Sequence, residues 1–504
     1  IITAEFIEQF RISFLPFLLI VNAVLIIAGT LFFERLIVRM KREVLMILMI
    51  LFGATTLFFA TFLYGKSPIA FFSLVVFAES VFLAQFNVFI PILVGDRFSP
   101  LESQKTFPIV ESADTIGGII GGALVGILAS RFAMGWFIYM WIGFLAFVIF
   151  VFVIASHITQ KIPSLPQSEV KKLPITKKDQ IKQIFFGIKQ IPFFKSLVII
   201  VFFQLVFMNL LEFQYTKAME QHVTAKPEPT LSYVISKSLK ADILGIDDVL
   251  KNSVKDDIPL PRVLTVQEQA VLTEKLGTFK GIFYGMAFII QILFASRIIS
   301  SLGVVGSMLL NPIIMLMSLV GMFLKFGFLS SVITKLNFEA SNVVHKNAYF
   351  SSHYAFPHPI RDPAAEFLEG VVRPFGAIIG MFLVIGLQML FAGKDLSMWI
   401  HILMFVAMGI TLVETIRLQS RYTAVSRNQL FSEIPDVEKI NFIEILAQRG
   451  HKDAPVIISR KFVESTQESP IVRMKLVSAL GQMRDYDILP EILEALYDRD
   501  IDVR

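Results

Sequence analysis

The stretch ESQKTFPIVESADTIGGIIGGALVG, residues 102–126, decides the fold of this chain. It begins with polar residues and continues as an apolar helical segment that carries two acids, Glu111 and Asp114. Three glycines follow at four-residue spacing, namely Gly118, Gly122 and Gly126. This spacing places them on one helix face, where the backbone of a neighbouring membrane helix can approach closely. The stretch therefore predicts a tightly packed membrane helix with ionisable groups inside it.

The downstream stretch EFLEGVVRPFGAIIGMFLVIG, residues 366–386, resembles a second copy of this pattern. Aligning Gly117–Gly121 with Gly376–Gly380 places Asp114 opposite Arg373. Many transporters are built from two such repeats. The pattern predicts two related halves, with chance similarity between glycine-rich membrane helices as the alternative.

The composition is that of a polytopic, all-α membrane protein. Hydrophobic residues make up 55% of the 504 residues, charged residues 17%, and the mean hydropathy is +0.68. Apolar runs of about 20 residues, enough to cross a bilayer, recur along the chain. Lysines beside these runs explain the net charge of +5 through membrane topology, so we expect no nucleic-acid partner. With no cysteine, the chain has no disulfide, thiolate metal site or cysteine nucleophile.

Hydropathy predicts eleven membrane spans, five before a long polar segment and six after it. The predicted spans are 13–38, 44–64, 69–95, 107–130, 135–156, 194–215, 278–300, 303–323, 326–349, 364–391 and 397–417. If the halves are repeats, one further span precedes Ile1, and the full bundle has twelve. The visible spans are therefore numbered two to twelve.

The predicted domains are an N-terminal membrane half, a basic linker, a C-terminal membrane half and a soluble helical domain. Their bounds are 1–157, 158–193, 194–417 and 418–504. Basic residues concentrate in the linker and in the turn near residue 40, which predicts that these segments and the C-terminal domain are cytoplasmic. Segment 179–194 has an apolar face and opposing lysines, which predicts an amphipathic linker helix on the inner membrane surface.

The C-terminal segment 418–504 resembles HEAT repeats of the short PBS-lyase type. Val472-Arg473 recurs as Val503-Arg504 after 31 residues, and a helix, a Gly481 stop and a second helix fit between them. Residues 438–467 form the preceding, weaker unit, and we expect further repeats beyond Arg504. This domain is expected to act as a regulator or as a docking platform for a protein partner. The long outer loop, 216–274, is a lid, a partner-docking arm or a spacer, and the sequence leaves these alternatives open.

Two halves of six spans with a basic central loop resemble a major facilitator superfamily transporter. Several stretches are more particularly similar to the bacterial and plastid ATP/ADP translocase family. These are Phe86-Asn87 with Asp96-Arg97-Phe98, Glu102 to Pro108, Gly117 to Gly122, Gly277-Thr278-Phe279, Gln291, Arg297-Ile298-Ile299, Leu302-Gly303, and Tyr354 through Gly370 with Val371-Val372. The resemblance implies an MFS-like two-half bundle, nucleotide transport by alternating access, and a place in a bacterial inner membrane.

Ionisable residues inside spans usually face a cavity or a partner. In the facilitator layout, spans four, seven and ten line the central cavity. The candidates for binding a substrate or ion are Glu79, Asn87, Glu111, Asn209, Glu212, Lys280 and Glu339. The alternative for the polar residues of these spans, including Gln85, Gln204, Asn337 and Asn342, is hydrogen bonding that holds the helices together.

Four further charges are candidates for a gate, since they lie near the cytoplasmic ends of their spans. In the facilitator layout span two packs on span eleven, and span five on span eight. This predicts the ion pairs Glu34–Arg373 and Asp114–Arg297, which would break when the cytoplasmic side opens. Permanent structural pairing is the alternative.

The charge pattern bears on the transported solute. Binding of a nucleoside triphosphate requires several Arg or Lys residues at mid-membrane, but in this sequence acids outnumber cations there. A smaller, less anionic or cationic solute fits better. We expect no catalytic residue, cofactor or metal, and solvated or capping roles for His345, His353 and His358. The competing functions are a transport-inactive scaffold and, less favoured, a lipid transporter.

Overall fold

The structure is a computed structural model of the chain. It describes residues 6, 14–37, 40, 42–95, 98–128, 132, 134–159, 191–224, 266–391, 396–448, 453–483 and 486–504. The amphipathic helix predicted for 179–194 lies almost entirely outside the described residues.

The described residues form helices and no strands, which agrees with the predicted all-α class. The first half contains α1 Leu15–Ile37, α2 Arg42–Thr61, α3 Pro68–Phe77, α4 Phe86–Gly95, α5 Pro100–Leu128 and α6 Met134–Thr159. The second half contains α7 Pro192–Thr224, α8 Val266–Ile290, α9 Ser296–Met308, α10 Leu310–Leu324, α11 Phe328–Ser352, α12 His358–Phe367, α13 Arg373–Leu390 and α14 Ser397–Leu430. The C-terminal domain contains α15 Asp436–Ala447, α16 Ala454–Val463, α17 Pro470–Met483 and α18 Leu489–Ala495.

Each predicted span coincides with one or more of these helices, but the count of eleven is not confirmed. By length and composition, nine stretches of the described helices could cross a membrane. Helix α10 has only 15 residues, and α11 is not among the nine. The predicted outer loop, 216–274, is shorter in the structure, because α7 continues to Thr224 and α8 begins at Val266.

Three π-helical turns interrupt the membrane helices. They are Ala78–Leu83 between α3 and α4, Gln291–Ala295 between α8 and α9, and Leu368–Val372 between α12 and α13. Turns of this kind occur frequently at functional sites. Each one here carries a polar residue near its start, namely Glu79, Gln291 and Glu369. Helix α9 is also broken at Gly303, whose φ of 76° ends one membrane crossing and starts the turn to the next.

The two halves meet along two equivalent helix pairs, as the repeat predicts. Helix α5 packs on α8, and α13, its counterpart in the second half, packs on α1. The glycine face of α5 makes the first contact possible. A Cβ at Gly122 would lie 2.7 Å from the backbone nitrogen of Gly281, and one at Gly126 would lie 2.9 Å from Thr278 Oγ1. In the structure, the glycine ladder of α5 therefore packs directly on α8.

The C-terminal helices pack on one end of the membrane bundle, where α5 begins and α11 ends. We refer to it as the domain end, and to the opposite end as the far end. One apolar core runs from Phe107 of α5 and Phe350 of α11 into Phe442 of α15 and Leu476 of α17. Helix α15 contacts α5, the 3-10 turn His353–Ala355 and α14. The domain is therefore joined to both membrane halves.

Within the C-terminal domain, side chains about one repeat apart are linked. Lys439 donates a hydrogen bond to Glu468, Ser459 to Glu491, and Lys475 to Glu444, over separations of 29, 32 and 31 residues. These separations match the 31-residue spacing of the sequence pattern. Stacked helix pairs of an α-solenoid produce contacts of this kind, because each unit packs only on its neighbours.

Arg473, in the Val-Arg motif, is buried and holds the last turn of the domain. Its Nε and Nη2 each donate to a carboxylate oxygen of Asp498 at 3.0 Å, and its Nη1 donates to the carbonyl of Glu468 at 2.6 Å. This bidentate arrangement is the strong form of an ion pair. The hydrogen bonds from Arg473 lower the pKa of the Asp498 carboxyl below its ordinary value.

Substituting Gly122 tests the close packing of α5. In Gly122→Ala the added methyl group meets the α8 backbone, so we expect a loss of about 1–3 kcal/mol and a lower unfolding temperature in detergent. Gly121→Ala is the matched control, because a Cβ there has no atom within 4 Å, and we expect a change within about 0.5 kcal/mol. Equal effects of the two substitutions would contradict the packing role.

Substituting Arg473 tests the repeat contact and its pH dependence. We expect Arg473→Ala to destabilise α17 and α18 by about 1.5–3 kcal/mol, measured as faster amide hydrogen exchange in the full chain at pH 7. The exposed neighbour Arg499→Ala is the control, and an equal effect there would contradict the assignment.

The stability from this pair should fade in acid. The folded-state pKa of Asp498 is lowered, so its contribution is present above the unfolded pKa of about 3.9 and is lost as pH falls through the folded value. The difference in hydrogen-exchange stability of α17 and α18 between Arg473→Ala and the unsubstituted chain should therefore shrink below about pH 3.9, after correction for intrinsic exchange rates. A constant difference would contradict this origin.

Candidate functional site

A partly exposed ion triad lies between α7 and α11, around the buried Lys335. The ammonium of Lys335 is 2.8 Å from a carboxylate oxygen of Glu212 and 2.8 Å from one of Glu339. The exposed fractions of the three side chains are 11% for Lys335, 44% for Glu212 and 21% for Glu339. Glu212 therefore has the largest open surface. Both acids were predicted from the sequence, but the lysine was not, although Lys335 precedes Glu339 by four residues and so shares its helix face.

A second group of charged residues joins the two halves, with Glu79 in the first half and Lys280 on α8 in the second. Glu79, in the first π-helical turn, is within electrostatic reach of Lys280. The Lys280 ammonium lies 5.8 Å from the centroid of the Tyr284 ring, and Tyr284 is in turn within electrostatic reach of Asp114 and Glu339. Charged residues of α5, α11 and the first π turn are thus linked to α8 by electrostatic interactions with Lys280 and Tyr284.

The amides of these spans mostly join helices. Gln204 Nε2 donates to Asn342 Oδ1 at 3.0 Å, and Asn337 Nδ2 donates to Ser318 Oγ at 2.9 Å. Asn209 is buried, and its Nδ2 donates to the carbonyl of Leu205 at 2.9 Å. The hydrogen-bonding alternative therefore describes Gln204, Asn337 and Asn342, whereas the bond of Asn209 stays within α7 and Asn209 remains a candidate for binding. Asn87 is exposed and remains a candidate for binding.

Gln85 is buried in the first half and is held by three interactions. Its Oε1 accepts from Thr30 Oγ1 at 2.9 Å, while its Nε2 donates to the carbonyls of Ile26 and Ser80 at 3.2 Å each. This amide therefore fixes α1 against the first π turn rather than facing a solute.

The two halves are closed against each other at the domain end. Lys346 of α11 forms an ion pair with Glu111 of α5 and lies 4.0 Å from Asp114. On the side of this pair nearer the C-terminal domain, the rings of Phe107 and Phe350 have centroids 5.7 Å apart. Further contacts join the halves, since Tyr354 Oη donates to the carbonyl of Phe98 at 2.7 Å and Thr115 Oγ1 donates to Gln291 Oε1 at 2.6 Å.

The predicted gate pairs differ from the pairs in the structure. Asp114 has Lys346 as its basic neighbour, and Arg297 forms no ion pair with any described residue. The predicted pair rested on the packing of span five on span eight. That packing is present, but the basic group nearest to Asp114 is Lys346 of α11.

Arg373 has a partner in its own helical segment. Its Nε lies 3.0 Å from the carboxylate of Glu369, which is buried in the third π turn. The side chain of Glu34 lies outside the described part of the structure, so the Glu34–Arg373 pair stays a prediction. The α1–α13 packing on which it rests is present, because Gly370 fits against Thr30.

Two of the three histidines are buried rather than solvated, which corrects the expectation from sequence. His345 Nδ1 lies 2.9 Å from the carbonyl of Met308, a hydrogen bond that joins α11 to α9. His353 packs with its ring centroid 4.6 Å from that of Tyr349. The side chain of His358 lies outside the described residues. Where the structure is described, no three His, Asp or Glu side chains are grouped to hold a metal ion.

A family model matches part of the chain. Residues 2–236 match the model of the Major Facilitator Superfamily, just under half of the chain and all of α1 to α7. This match is a similarity to that superfamily over the first membrane half and the start of the second. No curated protein matches the chain.

The solved structures that match the chain include two of the nucleoside transporter NupG. One is a point mutant of the nucleoside transporter NupG, with a TM-score of 0.49, 13% identity, and coverage of 83% of this chain and 94% of that one. The other is NupG itself, with a TM-score of 0.47, 13% identity, and coverage of 83% and 93%.

Removing the Lys346 ammonium tests the closure at the domain end. Because the chain has no cysteine, Ser351→Cys provides a single reporter at a buried position near that end. We expect Lys346→Ala to speed alkylation of this reporter by about tenfold, which corresponds to a loss of about 1.4 kcal/mol from the closed state. Lys325→Ala, an exposed lysine at the far end, is the control. Unchanged alkylation in Lys346→Ala would contradict a gating role.

Proposed function

We propose that the chain is a secondary transporter of the MFS type that moves a small polar solute by alternating access. The observation that carries the proposal is the position of the charged groups. Glu79 and Glu212 lie inside stretches long and apolar enough to cross a membrane, and Lys335 and Glu339 lie on the 25-residue helix α11 that packs on α7. The bundle is closed at the domain end. Ionisable residues are costly there and usually mark a substrate or ion pathway.

The site also bears on the choice of solute. The resemblance to ATP/ADP translocases suggests a nucleotide, but a triphosphate needs several unpaired cations. Lys335 and Lys346 are already paired with acids, and Lys280 lies close to Glu79. A neutral or cationic solute therefore fits better than ATP.

The C-terminal helices are proposed as a regulatory domain of HEAT type on the cytoplasmic side. Their side-chain contacts recur near the 31-residue spacing, and α15 touches both α5 and the 3-10 turn at 353–355. Opening of the domain end must separate α5 from α11. The domain would then have to release one of the halves, so its docking favours the closed state of this end.

A transport-inactive scaffold is the second candidate, and one surface favours it. The last turns of the chain carry exposed apolar side chains, among them Leu493, Leu496, Tyr497 and Ile501, and Tyr497 is 88% exposed. Apolar surface of this kind is where a protein partner or a further repeat of a solenoid would pack. Such a site would serve either function, since a regulated transporter also needs a surface that receives the signal.

Uptake by the full chain in liposomes tests the proposal. The panel contains ATP, ADP, nucleosides and small organic cations, and we expect a neutral or cationic solute to accumulate while ATP does not. The same solute should stabilise the purified protein, by about 2.7 kcal/mol at a hundredfold excess over Kd. Accumulation of ATP, lost in Lys280→Gln, would restore the nucleotide assignment. No accumulation and no stabilisation with any solute would favour the scaffold.

A further inference from the structure

We propose that the triad Glu212–Lys335–Glu339 binds the ammonium group of the transported solute, which is therefore a small amine with one positive charge. The inference rests on the proposed transport function and names the substrate class of its site. It follows from four features of the triad: its charge, its geometry, its aromatic lining and an unpartnered hydroxyl.

The triad has one more carboxylate than ammonium. Lys335 neutralises one of the two acids. Lys280 is also within electrostatic reach of Glu212, but it is within reach of Glu79 as well, so these three carboxylates and two ammonium groups keep a net charge of −1. An uncompensated charge in the interior of a membrane protein is costly. A solute that brings one positive charge balances the site, whereas an anionic solute would add to the repulsion.

The geometry already accepts an ammonium group. The Lys335 nitrogen lies 2.8 Å from Glu212 Oε2 and 2.8 Å from Glu339 Oε1, which are strong charge-assisted contacts. The other carboxylate oxygens, Glu212 Oε1 and Glu339 Oε2, are not used by these two contacts. Glu212 is also the most exposed of the three side chains, so it is the acid that an incoming ammonium can reach first.

Aromatic rings lie beside the cations of this region. The Lys335 ammonium is 5.4 Å from the centroid of the Phe338 ring, and Lys280 lies 5.8 Å from that of Tyr284. Ring faces attract ammonium groups and are a recurring part of sites that bind organic cations. Rings beside paired carboxylates suit an amine better than a hard metal ion, which prefers six or more oxygen ligands.

A buried hydroxyl without a partner lies close to the triad. Tyr215 is 4% exposed, and its Oη has no hydrogen-bond partner among the described residues. It is within electrostatic reach of Glu212, Lys335 and Glu339. A buried polar group left unpaired is costly, so a ligand that supplies its missing hydrogen bond is favoured. An N–H of the solute ammonium can donate to this oxygen.

Charge-displacement currents on a solid-supported membrane carrying the full chain test the inference. The probe is n-butylammonium chloride, with sodium chloride, a proton jump and neutral butyramide as separate arms. We expect a saturable current with butylammonium, at least tenfold weaker apparent affinity in Glu212→Gln, and partial recovery in Glu212→Asp. The matched control is Glu274→Gln, an exposed acid near the far end of α8, which should leave the current unchanged.

A further variant separates binding from a merely structural role. Lys335→Met removes the internal ammonium and frees both carboxylates, so we expect the apparent affinity for butylammonium to rise. A purely structural triad would give weaker binding in Lys335→Met, together with a lower unfolding temperature. That result would overturn the inference.

The outcomes distinguish this inference from the proposed function. If neutral solutes accumulate in liposomes while butylammonium gives no current, transport stands and the amine site fails. Currents only with protons or sodium would likewise overturn the amine assignment and make the triad an ion-coupling site. If no solute accumulates and no arm gives a current, both the transport function and the amine site fail.

Discussion

The structure depends on the close approach of α5 and α8, one helix from each half. Gly118, Gly122 and Gly126 remove the side chains that would hold the two helices apart. The ring of Tyr284 and the α8 backbone near Gly277 and Gly281 fill the space. In a membrane, packing of this kind replaces the hydrophobic drive that holds soluble helices together. Under the proposed alternating access, one half rocks on the other about this contact, beside which Thr115 donates a hydrogen bond to Gln291 across the halves.

Polar interactions then stabilise the conformation in which the two halves are closed at the domain end. At the domain end, Lys346 crosses from α11 to Glu111 of α5, and the C-terminal helix α15 covers the same junction. Nearer the far end, the triad around Lys335 is partly exposed. The charged groups that favour closure and those proposed to bind the solute thus lie on the same helix, α11, about three turns apart.

Much of the fold could be predicted from hydropathy and glycine spacing. Membrane helices need about 20 apolar residues, and this signal located a helix at each predicted span. The signal was weakest for α11, since Lys335, Glu339 and Lys346 lower its hydropathy, and these charges are what make it important for function. Helix ends were also less predictable, because α7 and α8 continue as amphiphilic helices beyond the apolar segment.

The site was predicted only in part. Acids inside spans stand out, so Glu79, Glu212 and Glu339 could be selected, but Lys335 and Lys346 were missed because lysine near a span end usually reports topology. The π turn before Arg297 could not be predicted, since one inserted residue leaves no mark in the hydropathy pattern. The burial of His345 and His353 likewise depends on helices distant in sequence.

The measurement that tests the central claim most directly is a pair of distances between spin labels placed across the halves. One pair replaces the exposed residues Lys105 and Ser301 at the domain end, and the other replaces Lys66 and Lys325 at the far end. When Lys346→Ala is introduced, rocking about the α5–α8 contact predicts a longer domain-end distance and a shorter far-end distance. Unchanged distances at both ends, or lengthening at both, would contradict the account.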